Sequence, residues 1–289
     1  YLTAGGFAEI MSNSLTKESY YEGLTSYPVA RCVRILNPLS ADLNVMRQTL
    51  LFNTMEAVQL NANRRNGNFR LYEFGNCYFY DEAARDAEKP LSAYSEQYRL
   101  AIAVTGAAVP QSWNAKPQAS SFFTLRAVAE KLLRRFGLDI YALKCEPLQS
   151  DLFGDGISLS AGNGKELLQM GVVAPRIRRA FDLKQEVYYL EMNFDALVKS
   201  TRKHRIAFEE LSKFPEVKRD LALLVDRQVT FAQLRAIALA TERKLLKSVS
   251  LFDVYEGDKL PEGKKSYALS FVLEDKSQTL TDKAIERVM

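Results

Sequence analysis

Apolar residues recur with helical spacing at two places in the first two thirds of the chain and alternate with polar residues elsewhere. Leu51, Met55, Val58 and Ala62 predict one helix, and the apolar residues of 125–136 predict a second, closed by glycine. Strands are predicted over five runs rich in aromatic and branched residues: 69–74, 77–80, 99–105, 169–174 and 187–193. Strands joined by short loops, with helices inserted irregularly, favour an α+β fold with an antiparallel sheet.

The segments between these elements are predicted as turns, loops and one short helix. Residues 75–76 are interpreted as a tight turn between two short strands, and the glycine-containing segments 154–156 and 162–164 as further turns. Residues 106–120, which contain the only Trp, are predicted as a loop. A basic helix is expected at 175–181. No glycine loop of a known phosphate-binding type is present.

The pattern becomes regular after Ser212. Strands are predicted at 217–225, 249–255 and 266–273, and helices at 230–240 and from 281 onward, with Thr230 and Thr281 as their capping residues. This β-α-β-β-α order lacks one strand of a split βαβ, ferredoxin-like sandwich. Both ends of the chain fall inside helical patterns, so we expect a fragment. The expected division is a domain at 1–198, a basic linker at 199–212 and a C-terminally incomplete domain at 213–289.

Composition changes this picture little. The net charge of +4 is shared evenly between the two regions, so any RNA contact must come from a local surface. The three cysteines, Cys32, Cys77 and Cys145, lie too far apart in sequence to suggest a disulfide framework or a zinc pair. No apolar run is long enough to span a bilayer. We therefore expect a cytoplasmic protein that makes no membrane contact.

Candidate catalytic and metal-binding residues are few. His204 is the only histidine and lies in the basic linker, where a solvated side chain near phosphate is a simpler interpretation than a catalytic base. Three loop carboxylates have no spacing that brings them together: Asp151, Asp155 and Asp182. The sequence therefore predicts no catalytic residue and no metal site.

A strand motif around Arg70 is similar to one in class II aminoacyl-tRNA synthetases. In that family a strand arginine holds the α-phosphate of ATP, and a glutamate two residues later accepts a hydrogen bond. Here Glu73 follows Arg70 by three residues, which moves it to the other face of a strand. The second arginine motif of that family is replaced by the segment 171–176. We expect that the ATP-binding arginine pair is not assembled.

Ordered motifs along the whole chain resemble the C-terminal part of the β subunits of bacterial phenylalanyl-tRNA synthetases. The most specific are KFPEVKRDLAL at 213–223, LFDVYEG at 251–257 and LPEGKKS at 260–266. Weaker motifs occur in the expected order at 6–10, 37–40, 45–51, 70–75, 122–126 and 171–175. The resemblance implies a class II synthetase-like domain without an active site, followed by a ferredoxin-fold anticodon-binding domain.

The same resemblance implies partners and cofactors. The first domain would dock the catalytic α subunit in an (αβ)₂ heterotetramer, and the second would bind the anticodon of tRNA(Phe). ATP and Mg²⁺ would be used by the whole enzyme, a phenylalanine–tRNA ligase, with no cofactor held by this chain. Neither DNA nor a membrane is an expected partner.

Strand alternation in the second domain suggests where nucleotides would bind. Small residues at Ala222, Ser266 and Ala268 leave room for a base on one face, and Asp253 and Tyr255 are predicted to join that face. Tyr255 would stack on a base, and Asp253 and Ser266 would hydrogen-bond a base edge. The anticodon contacts implied by the resemblance fall on Ala222, Asp253, Tyr255 and Ser266.

Two features leave this site open to another interpretation. Val249 and Leu251 would share the face of Asp253 by simple alternation, so Tyr255 could be an ordinary aromatic at a sheet rim. Four basic residues are candidates for phosphate contacts, although a solvated hairpin is the favoured interpretation of the last two: Lys218, Arg219, Lys264 and Lys265.

Two other functions compete with this hypothesis. An active class II enzyme would form aminoacyl-adenylate by itself, against which the missing arginine pair argues. A free-standing RNA- or protein-interaction module would bind tRNA without a synthetase partner, which the motifs of the first domain disfavour.

Overall fold

The computed structural model describes residues 1–202, 204–208 and 210–289 and divides the chain into two compact units, Tyr1–Ile206 and Ala207–Met289. Lys203 and Glu209, within the predicted linker, lie outside the described residues.

The first unit is built on a seven-stranded sheet. The strands of this unit are β1 (Ala8–Glu9), β2 (Leu15–Thr16), β3 (Val33–Arg34), β4 (Val45–Met46), β5 (Phe69–Tyr80), β6 (Tyr94–Thr105), β7 (Ala107–Val109), β8 (Gln118–Ala119), β9 (Lys144–Pro147), β10 (Phe153–Ser160), β11 (Glu166–Val173) and β12 (Val187–Asn193). Neighbours in the seven-stranded sheet follow the order β1-β5-β6-β12-β11-β10-β9. In this sheet β1 pairs in parallel with β5, and the other pairs are antiparallel. The helices are α1 (Leu51–Asn63), α2 (Phe122–Arg135), α3 (Pro175–Ala180) and α4 (Phe194–Thr201).

Each face of this sheet contributes to one of the two buried cores of the unit. α1 contributes Leu51, Phe52 and Met55 to one core, and α2 contributes Leu125 and Leu133 to the other. α2 begins at a capping box, in which the Ser121 and Thr124 side chains satisfy each other's backbone N–H groups. The predicted α+β class with antiparallel sheets is thus confirmed.

One predicted turn in this sheet is wrong. β5 runs without interruption through Gly75 and Asn76, where the sequence suggested a turn between two strands. Gly75 is required for close packing instead, because a Cβ at this position would lie 2.1 Å from Nη2 of Arg47.

A second predicted turn is also part of a strand. Residues 154–156 lie in β10, and Gly156 pairs directly with Gly171 of β11. A Cβ on Gly156 would lie 2.6 Å from the carbonyl oxygen of Met170, so glycine permits the close approach of the two backbones. Residues 162–164 do form the predicted turn, in which the Gly164 N–H donates to the Ala161 carbonyl.

The end of the first unit differs from the expected linker. α4 continues to Thr201, so the first residues of the segment 199–212 are helical. His204 is exposed, and its ring lies against Gly137 at the end of α2, where a Cβ would be 2.2 Å from Nε2 of the histidine.

The second unit has the β-α-β-β-α order predicted from the sequence. Its elements are β13 (Val217–Asp226), α5 (Phe231–Thr241), β14 (Leu246–Tyr255), β15 (Lys264–Leu273) and α6 (Asp282–Val288). The sheet is antiparallel in the order β13-β15-β14, so β15 is central. Thr230 caps α5 and Thr281 caps α6, as predicted. Leu273, Leu280 and Ile285 form its buried cluster.

Candidate nucleic-acid interface

The strand register of the second unit brings the four predicted anticodon residues to one face of the sheet. Residues directly opposite each other on paired strands point to the same side. Ala268 in β15 pairs with Ala222 on one side and Asp253 on the other. Ser266 pairs with Tyr255 of β14 in the next row. We call this side of the sheet the open face.

A β-bulge in β14 decides which side chains reach the open face. Leu251 pairs with Leu269, but Asp253 pairs with Ala268, so Phe252 is an extra residue in this strand. The bulge reverses the alternation, and Val249 and Leu251 face the other side. The expectation that they share the face of Asp253 and Tyr255 is therefore wrong.

The two faces of this sheet differ in exposure. The side opposite the open face packs against α5 and α6, and there Leu269 is 1% exposed and Tyr267 7% exposed. On the open face Ala222 and Asp253 are exposed, and Tyr255 is 42% exposed. The predicted residues therefore lie on the side that this unit's helices leave uncovered.

The ring of Tyr255 lies against a nearby glycine. A Cβ on Gly257 would lie 2.3 Å from the Tyr255 hydroxyl oxygen and 2.4 Å from Cζ. The absence of a side chain at Gly257 thus lets the ring lie over the backbone at the end of β14.

The predicted phosphate-contacting residues divide between the two faces. Lys218 and Lys264 lie on the open face by register, and each is near a carboxylate: Lys218 Nζ is 3.9 Å from Asp220, and Lys264 Nζ is 2.6 Å from Asp226. Arg219 and Lys265 are on the other face. The structure therefore does not bring these two to the predicted site.

The two misplaced cations have partners on their own face. Arg219 lies 3.4 Å from Asp282 of α6. Lys265 is buried, with Nζ 4.5 Å from the ring centroid of Tyr267, so a solvated hairpin is wrong for this residue.

Phe252 is an aromatic residue of the open face that the sequence analysis missed. Its ring is 58% exposed, and Nζ of Lys218 lies 5.8 Å from its centroid. A strict alternation assigns Phe252 to the face opposite Asp253. Only the bulge, which pairing with β15 reveals, places it beside that carboxylate.

In the first unit the residues of the synthetase-like motif are committed to structural contacts. Arg70 Nη2 donates to the Ala108 carbonyl at 3.0 Å. Glu73 is buried and pairs with Arg47 at 2.7 Å, while Ser12 donates to it from both its N–H and its hydroxyl. Arg70 and Glu73 lie on opposite faces of β5, as their spacing predicts. This arrangement does not fit an ATP-phosphate site.

A second buried carboxylate is saturated by its neighbours. Glu191 Oε2 accepts hydrogen bonds from the Thr49 hydroxyl at 2.6 Å, the Tyr189 hydroxyl at 2.5 Å and the Leu50 N–H at 3.1 Å, and Oε1 pairs with Arg99. Burial raises the pKa of the Tyr189 hydroxyl well above its usual range. These groups hold β12 and the start of α1 together and leave no carboxylate oxygen for a substrate.

The other candidates from the sequence are structural as well. Asp151 accepts hydrogen bonds from Thr25 and Ser26, whereas Asp155 lies within β10. Cys32 and Cys77 are buried and Cys145 is exposed, and all are free thiols. Within residues 1–202, 204–208 and 210–289 there is no group of three or more His, Cys, Asp or Glu side chains suited to a metal ion, and no helix long and apolar enough to cross a bilayer.

Comparison with solved structures identifies the fold. A pyrrolysyl-tRNA synthetase from Desulfitobacterium hafniense superposes on 68% of this chain and 63% of its own, with a TM-score of 0.50 at 16% identity. At this identity the similarity establishes the fold of an aminoacyl-tRNA synthetase and nothing more.

Family models and sequence relatives are more specific. Residues 1–194 match the phenylalanyl-tRNA synthetase β chain CLM domain, and residues 212–289 match the ferredoxin-fold anticodon-binding domain. The chain therefore belongs to the phenylalanyl-tRNA synthetase β chain family, which confirms the resemblance inferred from its motifs.

The curated relatives are considerably longer than this chain. The phenylalanine–tRNA ligase β subunit of Bacteroides fragilis is 49% identical over 100% of this chain and 35% of its own length. That of Porphyromonas gingivalis is 44% identical with the same coverage. The chain thus spans about a third of the length of these relatives.

Proposed function

We propose that this chain is the part of a phenylalanine–tRNA ligase β subunit that binds the anticodon of tRNA(Phe) on the open face of its second unit. The observation that carries this proposal is the pair of rows formed by Ala222–Ala268–Asp253 and Ser266–Tyr255 on an uncovered sheet face. The enzyme's cytoplasmic activity, its substrates and its subunits are part of the same proposal.

The chemistry of these rows suits an unstacked base. The Tyr255 ring offers a flat apolar surface, and the methyl side chains of Ala222 and Ala268 leave space above the sheet. The Asp253 carboxylate accepts hydrogen bonds, as required by the N–H groups on the Watson–Crick edge of guanine. Lys218 and Lys264 lie on the same face and would exchange their carboxylate partners, Asp220 and Asp226, for phosphates of the RNA.

The first unit would support catalysis without performing it. Arg70 and Glu73 are engaged in internal contacts, so ATP and Mg²⁺ would be bound by the α subunit. Docking of that subunit in an (αβ)₂ assembly is part of the same proposal. The first unit leaves six large apolar side chains exposed that are candidates for this contact: Met11, Leu36, Leu39, Leu91, Trp113 and Phe123.

The test uses the complete β subunit assembled with its α subunit. Stacking on a base contributes about 1–3 kcal/mol, so Tyr255→Ala should weaken tRNA(Phe) binding at least about fivefold. Val254→Ala is the matched control, because Val254 is 45% exposed in the same strand but pairs with Tyr267 on the other face.

Each part of the proposal has its own contradicting result. Unchanged tRNA affinity in Tyr255→Ala, with an unchanged melting temperature, would overturn anticodon binding at this face. Failure of the complete β subunit to form a stable complex with α would instead favour a free-standing interaction module.

A further inference from the structure

Phe252 is a second exposed aromatic ring on the open face, close to the rows of the proposed anticodon site. It is the extra residue of the β14 bulge, between Leu251 and Asp253. More than half of its surface is exposed, so it contributes little to the core of the second unit. An exposed phenylalanine beside a carboxylate on a helix-free sheet face is suited to contact a flat ligand.

The Lys218–Phe252 contact bridges the sheet. Lys218 belongs to β13 and Phe252 to β14, and the central strand β15 lies between them. Lys218 pairs with Val272, whereas Phe252 is level with Ala268 and Leu269, so the contact crosses β15 diagonally near Ser270. The ammonium group and the ring therefore close over the middle of the open face.

Ser270 lies beneath this bridge with an unused polar group. It is 2% exposed, and its hydroxyl has no hydrogen-bond partner among the residues that the structure describes. Burying a hydroxyl without a partner is unfavourable, and a ligand that hydrogen-bonds it would recover this free energy. The hydroxyl points to a polar ligand rather than an apolar one.

These three groups together match the parts of a nucleotide. An aromatic ring stacks on the base, an ammonium group neutralises the phosphate, and a hydroxyl hydrogen-bonds the base edge. Tyr255 follows Phe252 by three residues, or about 10 Å along a strand at about 3.3 Å per residue. Two neighbouring bases that are splayed apart in a single-stranded loop can each stack on one of two rings at this separation, whereas two bases stacked on each other cannot.

We propose that Phe252, Lys218 and Ser270 form a second nucleotide subsite, which binds a base of the same RNA loop next to the one stacked on Tyr255. This inference rests on the anticodon binding proposed above. In the free protein the Lys218–Phe252 contact closes the subsite. RNA binding separates the two side chains, so that the ring stacks on the base, the ammonium group meets a phosphate and Ser270 gains a partner.

The experiment measures tRNA(Phe) affinity of the complete enzyme with intact tRNA and with three tRNAs, each abasic at one anticodon position. Phe252→Ala should weaken binding of intact tRNA at least about fivefold. Phe252→Ala should cause no further loss of affinity for the tRNA that lacks the base contacted by Phe252. Tyr255→Ala should likewise cause no further loss for a tRNA that is abasic at a different anticodon position. Phe252→Tyr should retain most of the affinity, whereas Phe252→Leu, which keeps apolar volume, should not.

Ser270→Ala provides a readout that a purely structural role would not give. It removes an unpaired buried hydroxyl, so the melting temperature should stay constant or rise while tRNA affinity falls. Lower stability with unchanged affinity would overturn the role of Ser270 in the subsite.

The outcomes separate this inference from the proposed function. Weakened binding in Tyr255→Ala with unchanged binding in Phe252→Ala would overturn the second subsite alone. If both variants lost their effect on affinity with the same abasic tRNA, the second subsite would also be overturned, since the two rings would then contact one base. Unchanged binding in both variants would overturn anticodon binding at this face altogether.

Discussion

The Tyr255 ring lies over Gly257 so closely that a Cβ on the glycine would be 2.3 Å from the tyrosine hydroxyl oxygen. The steric clash would involve the end of the Tyr255 side chain, which is 42% exposed and free to turn away. The absence of a side chain at Gly257 therefore permits this direction of the ring on the open face.

Gly257→Ala should displace this ring and weaken tRNA(Phe) binding several-fold. Unfolding stability should change by less than about 1 kcal/mol, because no backbone atom meets the new methyl group. Binding and thermal melting of the complete enzyme measure the two effects. Gly263→Ala is not a suitable control, since Gly263 has φ 77°. Wild-type affinity in Gly257→Ala would contradict the positioning of Tyr255 by this glycine.

Asp253→Asn should weaken binding about 10-fold or more, because hydrogen bonds to a charged acceptor contribute about 1.5–3 kcal/mol. The loss should be largest for tRNA with a guanine at the contacted anticodon position and small when adenine replaces it, since adenine lacks the N1–H donor. Asp258→Asn, in the exposed hairpin, serves as the control. Equal losses for both tRNAs would argue against contact between Asp253 and a base edge.

Lys218→Gln should lower the salt dependence of tRNA binding. Each single-strand phosphate neutralised contributes about 0.7 to the slope of log K against log salt concentration, so the slope should fall by about that amount. Arg219→Gln should leave the slope unchanged, because Arg219 lies on the other face near Asp282. Binding titrations at low and high salt measure the slope for both variants. A larger change in slope for Arg219→Gln than for Lys218→Gln would contradict the assignment of these residues to the two faces.

Glu73→Gln should destabilise the first unit by about 3–5 kcal/mol, because Arg47, 3% exposed, would keep a buried charge without its counterion. Glu82→Gln breaks an exposed ion pair with Arg85 and should leave the stability nearly unchanged, because solvent screens this pair. Denaturant unfolding of the chain, followed by a probe in the first unit, compares them. Equal effects would mean that the buried pair is not an important part of this core.

The second unit could be predicted largely from local signals. Thr230 and Thr281 mark helix starts with their own hydroxyls, and strict alternation in β13 and β15 fixes which residues share a face. The bulge at Phe252 has no such local mark. It becomes visible only when Leu251 and Asp253 are paired with β15, and for that reason the second aromatic ring was missed.

The first unit was less predictable because contacts distant in sequence determine its details. Gly75 has the local signature of a turn, yet it lies within β5 because the Arg47 guanidinium packs against it. The partners of Glu191 include Thr49 and Arg99, which lie far away along the chain. No periodicity in the sequence reports such contacts, although the spacing of Arg70 and Glu73 correctly placed them on opposite faces.

Anticodon binding at the open face is tested most directly by a structure of the assembled enzyme with tRNA(Phe). We expect an anticodon base stacked on the Tyr255 ring, with its edge within hydrogen-bond distance of Asp253. An anticodon loop held elsewhere, with this sheet face covered by another part of the protein, would contradict it.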